Sequence, residues 1–85
     1  MKARVTVSRK PGVLDPEGRA IAQALAGLGF SSVRDVRVGK LIELELAPGT
    51  ARAEVEEMAR RLLSNPVIES FRVEMPEEAP QGSAP

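Results

Sequence analysis

The apolar residues of this chain switch between a two-residue and a helical period, and the order of the switches restricts the folds open to it. Ala3, Val5 and Val7 alternate with Lys2, Arg4, Thr6 and Ser8, the pattern of a half-buried strand. Ile21, Ala24, Leu25 and Leu28 then share one helical face, behind Asp15 as N-cap and Pro16 at the first helical position. Gly29 ends that helix, and Phe30 is expected to fold back on Leu25. Val36 and Val38 alternate with Asp35 and Arg37. After Gly39-Lys40 the run LIELEL sets Ile42, Leu44 and Leu46 against Glu43 and Glu45. A second helical face, Ala51, Val55, Met58 and Leu62, starts at a Thr50 cap behind Pro48-Gly49 and stops at Asn65-Pro66. Val67, Phe71, Val73 and Met75 form one face of a last strand, opposite Ser70, Arg72 and Glu74.

With right-handed crossovers this order predicts an α+β, ferredoxin-like βαββαβ sandwich: a four-stranded antiparallel sheet in order 4-1-3-2, with two helices on one face. The middle strands read as a hairpin. A two-residue Gly39-Lys40 turn would pair Val36 with Glu43 and mix the faces, so a three-residue loop, Gly39 to Leu41, is expected, with Arg37 opposite Glu43. On the second helix, Glu56 with Arg60 and Glu57 with Arg61 are spaced as ion pairs. Residues 1–75 read as a single domain. Residues 76–85, PEEAPQGSAP, carry neither period nor core residues and read as a disordered tail.

At 85 residues the core is marginal, and association is a common source of the missing stability. Twelve basic and twelve acidic residues balance to a formal charge of zero, which argues against a nucleic-acid partner. The only aromatics, Phe30 and Phe71, offer no base-stacking platform. Without cysteine there is no disulfide, thiolate metal site or sulfur nucleophile; without histidine the commonest general base and metal ligand are missing. The segment MKARVTVSRK has no apolar run of signal-peptide or membrane-span length, so a soluble cytoplasmic protein, free of membrane, is expected.

Candidate chemistry is correspondingly thin. Glu43 and Glu45 share a strand face, as acid–base pairs or hard-cation ligands do, but they equally suit a salt-bridged sheet face near Arg4 and Arg37. Lys10, the Gly12 backbone and the helix start after Asp15 can cradle an anion, although Asp15 and Glu17 already bring negative charge there. No catalytic residue and no metal site is assigned. The residues favour a binding or assembly module over an enzyme.

Four stretches in this order and spacing, KPGVLDPEG, AIAQALAGLGF, VRVGK and LLSNPVIESF, make the chain resemble the PurS family, small subunits of phosphoribosylformylglycinamidine synthase. The resemblance spans nearly all of the chain before Pro76. It implies a subunit of de novo purine biosynthesis without chemistry of its own and with no cofactor. ATP and Mg²⁺ would belong to a large synthetase subunit, and ammonia would come from a glutaminase subunit with a cysteine nucleophile. The small subunit would bridge these two partners, help keep the ammonia path closed to solvent, and self-associate as a homodimer or homotetramer. Partner contacts would then fall on Lys10, Gly12, Val13, Leu14, Asp15, Arg37, Gly39, Lys40 and Asn65.

Val13 and Leu14 are the centre of that expectation. Clamped between Pro11-Gly12 and Asp15-Pro16, they either point outward into a partner, at little entropic cost, or Leu14 packs back onto Arg19 or Ala20 as a hydrophobic staple. An ACT-type regulatory domain, which has the same element order and a Pro-Gly followed by apolar residues, is the second reading. There the helix begins at once, whereas Asp15-Pro16 delays it here. An acylphosphatase-like enzyme is a distant third, because its arginine, asparagine and phosphate-loop pattern is missing.

Overall fold

A computed structural model describes residues 1–75 of the chain; the expected tail, residues 76–85, lies outside the described residues. β1 (Lys2–Arg9) is the central strand of an antiparallel sheet of order β2-β1-β3, flanked by β2 (Gly39–Glu45) and β3 (Glu69–Glu74). Val5 pairs with Ile42 on one side and Val73 on the other, and Val7 pairs with Phe71. Because paired residues share a face, β1, β2 and β3 together present Ala3, Val5, Val7, Ile42, Leu44, Phe71 and Val73 to one side. The first strand is therefore central because both its neighbours match its apolar parity. On the opposite face Arg4 lies between Glu43 and Glu74, with Arg4 Nε 3.4 Å from Glu43 Oε2.

α2 (Arg52–Met58) covers the apolar face. Val55 and Ala59 are fully buried with Ala3, Val5, Val7, Val73 and Met75, and this small cluster is the core. The helix widens over Ala59–Leu63 into a π-turn, where Ser64 N–H donates to the Ala59 carbonyl at 2.9 Å. That widening changes the expected buried face. Straight α-helical spacing placed Leu62 inward; with the wider turn Leu63 is half-buried against the core and Leu62 is 82% exposed. Thr50 does not cap α2: its hydroxyl donates to the Ala47 carbonyl, and Ala51 stands at the cap without a side-chain bond. Of the expected ion pairs, Glu57–Arg61 forms at 3.9 Å, while Glu56 takes Arg52 and Arg60 takes Glu57.

Two further expectations are corrected. The described residues form three strands rather than four: residues 33–38 have no regular structure, and β2 begins directly at Gly39. Gly39 and Lys40 are paired strand residues opposite Ser8 and Val7, so no turn separates Val38 from β2, and Glu43 meets Arg4 instead of Arg37. Residues 36–38 are held elsewhere, by the loop before α1. Nor do both helices lie on the sheet. α1 (Pro16–Gly27) contributes no residue to the core cluster and buries only Gly18, leaving Ile21, Leu28 and Phe30 exposed. Its C-terminus does close as expected, with Gly29 at φ +98°, Gly29 N–H on the Ala26 carbonyl and Phe30 N–H on the Leu25 carbonyl. The Phe30 ring itself remains 56% exposed.

Candidate functional site

The KPGVLDPEG stretch becomes a rigid loop through its own sequence. Pro11 fixes the first central position of a turn and Gly12, at φ +86°, takes the second, so that Val13 N–H closes onto the Lys10 carbonyl at 3.1 Å. Lys10 ties this turn to the one before β3. Its N–H donates to the Ile68 carbonyl at 2.8 Å and its Nζ to the Pro66 carbonyl at 2.7 Å.

Asp15 is the hub. Its Oδ1 accepts the Gly18 N–H at 3.0 Å, the N-cap bond, and the Arg9 guanidinium at 2.7 Å; its Oδ2 accepts the Val38 N–H at 2.8 Å. One carboxylate thus joins the end of β1, the start of α1 and the segment that leads into β2. The Val38 N–H, then the Gly18 N–H, hold its pKa below the ordinary 3.8; desolvation opposes them, and Arg9 and Arg37 add to the lowering. Gly18 is needed beneath it, because a Cβ there would overlap the Val36 carbonyl oxygen and lie 2.8 Å from Asp15 Oδ2. Arg37 reaches back over the loop with long contacts to the Val13 and Lys10 carbonyls, 3.4 and 3.5 Å.

The clamp decides where the apolar pair points. Leu14 is 77% exposed, which is not the packing of a staple, and Val13 is half-buried. Lys10, Gly12, Val13, Leu14, Asp15 and Arg37 are therefore brought together. Gly39 and Lys40 stand apart at the start of β2, where with Glu17 and Glu69 they border a smaller cleft of about 270 Å³. Asn65 is engaged in its own turn: its Oδ1 accepts the Val67 N–H and its carbonyl accepts those of Ile68 and Glu69. Glu43 and Glu45 each take a cation, Arg4 and the Met1 ammonium, and among the described residues no cluster of three acidic side chains has metal-binding geometry.

Beside the loop lies an open cavity of about 610 Å³, walled by residues 12–16, by Arg19 and Ala22 of α1, and by residues 34–37. Arg9, Arg19 and Arg34 are not among the expected contact residues. Arg9 is one residue beyond the apolar alternation of β1 and carries no signal of its own. Arg19 and Arg34 converge only because Asp15 draws residues 36–38 toward α1.

The chain matches, over residues 2–77, the PurS family, described as phosphoribosylformylglycinamidine (FGAM) synthase. It is 42% identical to the phosphoribosylformylglycinamidine synthase subunit PurS of Bacillus subtilis, over 94% of this chain and 98% of that one. To the same subunit of Methanocaldococcus jannaschii it is 42% identical over 87% and 93%. Among solved structures it superposes on B. subtilis PurS with a TM-score of 0.76 at 44% identity, covering 86% of this chain and 94% of that one. It superposes also on a chain of PurLQS from Thermotoga maritima, with a TM-score of 0.73 at 30% identity, covering 86% and 93%.

Proposed function

The chain belongs to the PurS family, and from that premise we propose that it docks the glutaminase and synthetase subunits of phosphoribosylformylglycinamidine synthase together and helps keep the ammonia path between them closed. It is a subunit of that synthase, serving purine biosynthesis, and is not an enzyme by itself. In this reading ATP and Mg²⁺ act in the synthetase subunit, the glutaminase subunit supplies ammonia, and the assembly works in the cytoplasm. No described helix is long and apolar enough to cross a membrane.

The observation that carries the docking role is Leu14, 77% exposed on a loop whose backbone is pinned by Lys10, Asp15 and Arg37. An apolar side chain held outward on a fixed backbone loses little entropy when a partner covers it. Lys10, Gly12, Val13, Asp15 and Arg37 shape this surface. Gly39 and Lys40 at the start of β2, and Asn65 in the turn before β3, would make separate contacts away from it. Self-association has its own support: Ile21 on α1, with Leu28 and Phe30 just past its end, is left exposed, and a core built mostly of valine and alanine gains from a second copy.

Omit-one reconstitution tests the proposal. The purified chain is mixed with the cognate glutaminase and synthetase subunits, and amidine formation is followed with glutamine or with ammonia. Leaving the chain out is expected to abolish glutamine-dependent turnover while ammonia still supports it. Unchanged glutamine use without the chain refutes the bridging role. Val13→Asp, expected to lose the complex while melting like the wild type, tests the docking loop.

A further inference from the structure

We propose that the cavity beside the loop receives an acidic segment of a partner subunit, with a carboxylate set among Arg19, Arg34 and Arg37 and a neighbouring aliphatic side chain against Val13 and Leu14. This rests on the docking role given above and names the chemistry of what docks.

Charge is the first reason. The whole chain is formally neutral, yet this one cavity is lined by three guanidinium-bearing residues. The guanidinium groups of Arg19 and Arg34 have no hydrogen bond or ion pair among the described residues. Arg37 makes two long hydrogen bonds, to carbonyl oxygens at 3.4 and 3.5 Å, and its charge also acts on the Asp15 carboxylate. Of the two carboxylates in the wall, Asp15 is paired from behind with Arg9, and Asp35, whose Oδ1 accepts the Val36 N–H, offsets one of the three guanidinium groups and leaves an excess of positive charge. The cavity is therefore a site of uncancelled positive charge on a surface where most other arginines are paired.

The type of anion follows from the rest of the wall. At the start of α1, Pro16 has no amide hydrogen, the Gly18 N–H is taken by the Asp15 carboxylate and the Arg19 N–H by the Asp15 carbonyl, so little of the backbone cradle that suits a phosphate is left. No aromatic ring lines the cavity to hold a base or a sugar. What remains is guanidinium, which matches a carboxylate two bonds at a time, beside Val13, Leu14, Pro16, Ala22 and Val36. At about 610 Å³ the space admits a few side chains of an extended segment.

The test uses the full chain and its cognate partner subunits, with binding followed by titration calorimetry across a salt series. Arg19→Glu and Arg34→Glu, both exposed in the free chain, are each expected to raise the Kd at least tenfold and to flatten its salt dependence. Arg61→Glu, an equal charge change on the π-turn outside the cavity, is expected to leave both unchanged. Arg37 is not substituted, because it also holds the loop. Wild-type Kd and salt slope in both cavity variants overturn the inference. So does an equal loss in Arg61→Glu, which makes the effect one of net charge. Inorganic phosphate or ATP binding to the free chain, and lost on Arg34→Glu, overturns it in favour of a small-molecule anion. Val13→Asp separates the two proposals: if it abolishes binding while the arginine variants bind normally, docking stands and the acidic segment fails. If it too binds normally, the docking loop itself fails.

Discussion

Replacing Gly18 and Gly27 by alanine, one at a time, tests whether the clamp around Asp15 holds the molecule together as described. Both glycines lie in α1, and in an open helix alanine is better than glycine by about 0.5–1 kcal/mol. At Gly27 a Cβ meets nothing within 4 Å, so the full gain is expected. At Gly18 the same atom overlaps the Val36 carbonyl oxygen and crowds Asp15 Oδ2 at 2.8 Å and Cγ at 3.0 Å. None of these is the free end of a flexible side chain, since the carboxylate is fixed by Gly18, Val38 and Arg9. Overpacking of this kind costs about 1–3 kcal/mol, and the rigid obstacle argues for the upper end. Set against the helix gain, Gly18→Ala should lose about 2 kcal/mol. For a domain this size each kcal/mol moves Tm by about 4–8 °C, so Gly18→Ala should melt about 8–16 °C lower and Gly27→Ala about 2–8 °C higher. Thermal unfolding at one fixed protein concentration measures both. A Gly18→Ala protein that melts at or above the wild type refutes the close approach of α1 to residues 36–38, and with it the shape of the cavity.

Acid should act through the same carboxylate. The folded pKa of Asp15 lies below 3.8, so its contribution is complete above that value and is lost as the pH falls through the lower folded one. The Tm gap between the wild type and Asp15→Asn should therefore be widest above pH 4 and should close toward pH 2; a gap constant with pH contradicts the assignment. The π-turn is tested by neighbouring leucines. Leu63→Ala should cost about 1–2 kcal/mol and Leu62→Ala less than about 0.5, whereas the reverse ranking would mean an ordinary helix there.

Local rules read well wherever a signal sits inside one element. Asp15-Pro16 starts α1 and Gly29 closes it, and the parity of Ala3, Val5 and Val7 selects Leu44, Ile42 and Val73 as partners. The misses share a different cause. Val36 and Val38 have the two-residue period, but a period says only how side chains alternate, and the Val38 N–H that a hairpin would use is taken by a carboxylate 23 residues earlier. Leu62 and Leu63 exchange roles because a single wide turn shifts the helical phase, and no residue type announces it. The loop was legible as a rigid feature from its prolines and glycines. The cavity was not, because Arg19 and Arg34 lie in separate segments and only the fold brings them together.

The central place of β1 also bears on how the chain folds. Neither of its neighbours is local in sequence: Arg4 pairs with Glu43 and with Glu74. Val5 and Val7 lose water on both sides only when distant segments have met. Pairing at such sequence separation places folding among the slower small domains. Until both ladders close, the edges of β1 stand open to other chains, so prompt pairing is what guards the free subunit against aggregation.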